Sequence, residues 1–152
     1  AGEMEGVVKQ HSPSADYIFM SAAVADFSPI IIADEKIKRS KINLKLDLKP
    51  APDILKSIQG TTNAVITAFA LETQNGEEEA KRKLQEKSVN FIVLNYANEK
   101  GAGFDSSTNR VIIFNKNGGR FELNKDRKDR IAENIIDHIF QFTEKNKAAV
   151  DL

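Results

Sequence analysis

Cysteine is absent from this chain of 152 residues, which removes disulfides, thiolate metal sites and a cysteine nucleophile together. Charge of one sign is not in surplus either, with 22 basic side chains against 22 acidic ones. General nucleic-acid binders and anionic-membrane binders carry excess positive charge, so both classes are disfavoured and any useful positive field must be local. The longest nearly unbroken apolar run, residues 17–25, is about half of a membrane span. No secretory leader pattern precedes it, and a cytoplasmic setting is the expectation. His11 and His138 are the only histidines and lie too far apart for a metal-ligand spacing. A nucleophile elbow and a phosphate-loop lysine motif are both missing. Gly101-Ala102-Gly103 begins like a dinucleotide fingerprint, but Ser106 stands where the third glycine belongs and no helical pattern opens there. What remains is charge stabilisation and positioning, without a covalent side-chain nucleophile and with no assigned metal site.

What is present is globular: 41% apolar and 29% charged residues, enough to bury about 70% of the unfolded surface in one domain. Residues 1–10 pattern as the last turns of a helix, with Met4, Val7 and Val8 on one side. Tyr17 to Ala22 form an apolar run short enough for a fully buried strand. Residues 26–41 read as a long loop or flap. Strict alternation at Ile42, Leu44, Leu46 and Leu48 predicts a half-buried strand of antiparallel character. Lys49-Pro50-Ala51-Pro52 should break it, and Pro52 suits the first position of a short helix running from Asp53 to about Gln59.

Val65 to Ala70 and Phe91 to Leu94 read as two more buried strands. The helix between them, ending near Ser88, is expected to carry a capping box of Asn75 and Glu78. Asn117-Gly118-Gly119 between residues 110–114 and 120–123 is a hairpin signal. Ile131, Ile135, Ile139 and Phe142 then mark an amphipathic helix from about Asp126 to Phe142. Alternating helices and strands imply a mainly parallel sheet in a Rossmann-like α/β fold of three layers, with antiparallel strands and a hairpin added. No repeat, low-complexity tract or linker divides the chain, so residues 1–152 are read as one domain.

Asp26 ends the first apolar run, and Lys36 follows ten residues later in a cluster with Lys38, Arg39 and Lys41. Four cations in six residues exceed their local partners, Asp34 and Glu35. An arbitrary charge run is a solvated loop. After a buried strand and a carboxylate, in a neutral chain, it suits closure over a triphosphate. Asp26 either accepts backbone N–H groups in its turn or binds ribose hydroxyls or a phosphate-held metal. Lys83 and Lys87 share a helical face, where they complement the helix dipole or meet a ligand. Phe69 is either core or a stacking surface for a base.

These segments resemble phosphopantothenoylcysteine synthetase, the ligase of coenzyme A biosynthesis. The resemblance rests on SAAVADF at 21–27, EKIKRSK at 35–41, PDIL at 52–55, AFALET at 68–73, Lys83 and Lys87, and NRVIIF at 109–114, in order along the chain. It implies that the carboxylate of 4′-phosphopantothenate attacks the α-phosphate of CTP with magnesium present, and that L-cysteine then displaces CMP. Asp26, Lys36, Pro52, Asp53, Ile54, Leu55, Phe69, Lys83 and Lys87 would contact CTP, with Ala22 and Ala23 against the pantothenate or acyl-nucleotide portion. Lys36 would be catalytic, and Lys38, Arg39 and Lys41 the rest of the flap. The resemblance further implies a homodimer, with strands at 42–48 and 109–123 as candidate contacts, and a possible fused flavin-dependent decarboxylase. It also places a glycine-rich loop and a functional asparagine ahead of residue 1, which would leave this chain alone with little or no activity. The rival readings are a non-catalytic nucleotide-binding module and an NAD(P)-dependent oxidoreductase.

Overall fold

A computed structural model describes residues 1–35, 45–96 and 107–150. Helix α1 spans Gly2–His11 and passes through a 3-10 turn, Ser12–Ser14, into strand β1, Tyr17–Met20. Strands β2 (Phe27–Pro29) and β3 (Leu48–Pro50) form a separate antiparallel pair. Helix α2, Ile54–Ser57, precedes β4, Val65–Glu72; helix α3, Gly76–Glu86, connects it to β5, Phe91–Tyr96. Strands β6 (Thr108–Asn115) and β7 (Arg120–Arg127) lead into the long helix α4, Lys128–Val150.

The main sheet has the order β1-β4-β5-β6-β7. Its first three strands are mutually parallel and the last two antiparallel. Period-two alternation divides the sheet's side chains between two layers of helix. Ile66, Ala68, Ala70, Ile92, Leu94, Ile112 and Phe114 face Val8 of α1, Leu55 and Ile58 around α2, and Ala80 and Leu84 of α3. Phe91, Val93, Val111 and Ile113 face Ile131, Ile135 and Ile139 of α4. Those isoleucines recur every four residues, and burying each contributes about 1.5–3 kcal/mol before the cost of ordering the chain. The resulting three-layer α/β arrangement matches the expected class.

Local details depart from expectation. Strand β1 is only partly buried along its length, because it sits at the edge of the sheet. Of the segment 42–48 expected to be a strand, Leu48 opens β3, Leu48–Pro50, and residues 45–47 carry no strand; Ile42 and Leu44 lie outside the described residues. Leu46 and Leu48 are more than half exposed, since no helix layer covers this two-stranded pair. Pro50 ends that strand without breaking it, as an edge position tolerates a missing N–H.

Pro52 stands one residue before the cap of α2. The cap is Asp53, whose Oδ1 accepts from the Lys56 N–H at 3.2 Å, a contact of about 1 kcal/mol. No capping box forms at α3: Asn75 precedes the helix in the left-handed region, φ 50°, and its side chain caps nothing. The hairpin does turn at the glycines, with Gly118 at φ +85°. Asn115 builds that turn by accepting the Asn117 and Gly119 N–H groups on Oδ1 at 2.9 and 3.0 Å.

Candidate functional site

Beyond β1 the chain runs as Ala22–Asp26 along the rim of a cavity of about 470 Å³. Ala51–Leu55 make the facing wall, and Arg82, Lys83 and Glu86 of α3, with Lys87 at its carboxyl-terminal cap, close the side. Met20, Ala68 and Ile92 belong to its apolar floor, and Phe69 reaches its edge. Each wall has a local cause. The bond from the Ala51 N–H to the Asp26 carbonyl, 2.8 Å, joins the two segments at the base of the β2–β3 pair. Ile54 and Leu55 turn into the core and anchor α2, leaving capping Asp53 at the surface. Lys83 and Lys87, one helical turn apart, point along the same side of α3.

The two lysines are held by carboxylates from different elements. Lys83 Nζ lies 2.6 Å from Glu72 Oε1 at the end of β4, and Lys87 Nζ lies 3.3 Å from Asp53 Oδ2. Gln59 Nε2 donates to the Lys87 carbonyl at 2.8 Å, tying α2 to the end of α3. Arg82 instead pairs along its own helix, with Glu79 at 2.7 Å and Glu86 at 2.5 Å. Those hydrogen bonds, to Glu79 first, raise its already high pKa and lower that of Glu79. Three acids and three bases among the described lining residues leave the cavity without net charge. A polyanionic ligand therefore gains most if further cations arrive. Lys36, Lys38, Arg39 and Lys41 fall between β2 and β3 in the sequence and lie outside the described residues.

A second cavity of about 320 Å³ abuts the first, sharing Ala22, Ala23 and Phe69. Ser21, Ala70, Leu71, Asn95, Tyr96, Asn109 and Lys128 line its remainder, at the carboxyl ends of β4 and β5, where open α/β sheets take their ligands. Phe69 is partly buried and also packs toward the α4 layer, so it serves the core and both cavities. A larger hollow of about 580 Å³ lies at the opposite edge, near Asn90, Asn115 and Asn146. Its amides are already engaged: Asn90 Oδ1 accepts from the Ile66 N–H at 2.8 Å, and Asn146 Nδ2 donates to the Phe142 carbonyl at 2.7 Å.

Residues 1–143 match the family model described as the DNA/pantothenate metabolism flavoprotein C-terminal domain. The chain belongs to this family. It is 38% identical over 124 residues to the coenzyme A biosynthesis bifunctional protein CoaBC of Bacillus subtilis (strain 168), covering 81% of this chain and 30% of that protein. It is also 34% identical over 138 residues to a cysteine/cysteine sulfinic acid decarboxylase from an unknown prokaryotic organism, covering 90% of this chain and 38% of the relative. The crystal structure of the C-terminal domain of a CoaBC superposes with a TM-score of 0.75 at 30% identity, over 95% of this chain and 63% of that one. The chain thus spans 38% and 30% of the lengths of these two curated relatives.

Within this family member, Ala22, Ala23, Asp26, Pro52, Asp53, Ile54, Leu55, Phe69, Lys83 and Lys87 all border one cavity. Of these, Ile54 and Leu55 are buried and support the wall mainly by packing. Sequence reasoning missed Arg82, Glu86 and Met20 as lining residues, and Glu72 as the partner of Lys83. Only the acidic residue closing AFALE gave any signal for the last of these. Among the described residues no cluster of three or more acidic or histidine side chains is placed to hold a metal ion. No helix among them is long and apolar enough to cross a membrane.

Proposed function

We propose that this chain is the nucleotide-handling part of a ligase that joins 4′-phosphopantothenate to L-cysteine with CTP. The observation that carries this reading is the convergence on one cavity of ten residues that the family resemblance implies, from three stretches of chain and the carboxyl-terminal end of α3. In the first step a carboxylate oxygen of the acid attacks the α-phosphorus of CTP and pyrophosphate leaves, giving an acyl-cytidylate. In the second the cysteine amine attacks the acyl carbon, CMP leaves with its bonding pair, and the amine loses a proton. Neither step needs a side-chain nucleophile. Both need cations around the departing phosphates and a fixed carbonyl.

Lys83 and Lys87 supply two of those cations. Lys36 supplies the decisive one, with Lys38, Arg39 and Lys41 completing the flap. Phe69 offers a ring face to the base, and the adjoining cavity past Ala22 and Ala23 takes the acyl chain. Magnesium would enter with the triphosphate, since this ion keeps waters and needs only one or two carboxylates beside phosphate oxygens; Asp26 on the rim suits that role. The same reading places the protein in the cytoplasm and makes it a homodimer, in some relatives fused to a flavin-dependent decarboxylase. Exposed Phe27, Ile30, Ile31, Ile32, Leu46 and Leu48 on and beside the β2–β3 pair support a subunit contact there.

The test uses the natural polypeptide that carries this chain. CTP and 4′-phosphopantothenate should yield an acyl-cytidylate that Lys36→Gln abolishes with the fold unchanged. Wild-type turnover in that variant, or nicotinamide-cofactor binding with no response to CTP, would defeat the proposal.

A further inference from the structure

The cavity's two lysines are not held alike. Asp53 is itself a cavity wall, caps α2 through its other oxygen, and meets Lys87 at a long 3.3 Å. Glu72 is not among the lining residues, yet its bond to Lys83 is short, at 2.6 Å. Its side chain is only 16% exposed, against 35% for Lys83. We propose that Glu72 is a positioning residue, which from behind the cavity wall fixes the Lys83 ammonium where nucleotide phosphates are received. This inference rests on the nucleotide reading of the cavity given above.

The backbone around Glu72 is built to hold such a contact. Strand β4 continues past Ala70 for two residues, and the ladder sets Glu72 opposite Tyr96 of β5. Just beyond, Gly76 begins α3 so close to the Tyr96 ring that an added Cβ would lie 2.8 Å from Cε1. A side chain there would require the Tyr96 ring or the start of α3 to shift. With glycine, α3 lies near enough for Lys83, two turns along, to reach the strand end.

A free lysine samples many rotamers, and ordering it at the moment of binding opposes affinity. Lys83 has already lost that freedom. Arg82, its neighbour, is tied instead to carboxylates of its own exposed helix surface, so it lacks an anchor in the sheet. Ligand phosphate can approach the ammonium from the cavity side while Glu72 remains behind it, because an ammonium offers three donors.

Steady-state kinetics of the natural polypeptide decide the matter. Glu72→Ala should raise KM for CTP roughly tenfold, the size of one charge-assisted hydrogen bond, while kcat changes less than about twofold. Glu72→Gln keeps an amide oxygen within reach of Nζ and should restore part of the affinity. In a Lys83→Gln background, Glu72→Ala should add nothing. An unchanged KM in Glu72→Ala, or an equal rise in the Lys83→Gln background, overturns the proposal. If Lys83→Gln alone leaves KM for CTP unaltered, the nucleotide reading of the cavity falls and this role falls with it. If Lys83→Gln raises KM and Glu72→Ala does not, only the positioning role is lost.

Discussion

The two faces of the sheet are covered in opposite ways. On one, the single helix α4 lays Ile131, Ile135 and Ile139 along the strands, and a hollow opens beside its later turns at Phe142, Thr143, Asn146 and Lys147. On the other, three shorter helices share the work, and α2 has only four residues. Short elements cannot cover the sheet continuously, so the cavity opens between α2, α3 and the segment leaving β1. The lesson concerns division of labour: one face gives stability through a long apolar contact and leaves its hollow beside the later turns of one helix, while the other opens between short helices and lines the gap with charge.

The comparison is broken most severely from the face under α4. Ile139 is fully buried, and Ile139→Ala should cost roughly 2–5 kcal/mol, lowering Tm by roughly 5–15 °C. Denaturant unfolding measures the loss. Nucleotide affinity of the folded fraction should stay at the wild-type value, because α4 contributes nothing to the 470 Å³ cavity. A parallel fall in affinity would show the faces to be coupled.

A smaller effect sharpens the open face. Gly76→Ala forces a Cβ against the Tyr96 ring and should destabilise by roughly 1–3 kcal/mol. Unlike Ile139→Ala it should also raise KM for CTP, since α3 carries Lys83 and is capped by Lys87. Adding Tyr96→Leu should recover part of both losses, a non-additivity that calorimetry and kinetics can each detect.

The smallest expected effect separates the faces by pH. His138 of α4 stacks on Phe121 with ring centroids 3.9 Å apart, and burial lowers its pKa. Its folded pKa thus lies below the unfolded value of about 6.5. As pH falls through that window the unfolded chain takes up the proton first, so acidification destabilises the native state. His138→Phe should remove this slope between about pH 7.5 and 5.5. Urea midpoints at the two pH values measure it, and an identical slope in the variant would refute it.

Much of the fold was legible because alternation and helical spacing are local signals. Ile66, Ala68 and Ala70, like Ile131, Ile135 and Ile139, announce which face they bury before any partner is known. The burial of Tyr17 to Met20 was overestimated because an apolar run does not reveal whether its strand is central or at an edge. The same blindness affected Leu46 and Leu48, whose alternation promised a covering layer that the β2–β3 pair lacks. At the site, Asp26, Lys83 and Lys87 stood out by type and spacing. Glu72 did not, because its partner is eleven residues away and reached only when α3 packs on the strand end.

By itself the sequence determined the kinds of element, the α/β class and the residue types around the cavity, since each follows from short-range periodicity and side-chain chemistry. Only tertiary structure decided which strand lay at the edge, which helices were too short to close their face, and which carboxylate met which lysine. Those outcomes depend on packing between segments distant in the chain, and local pattern carries no measure of that distance.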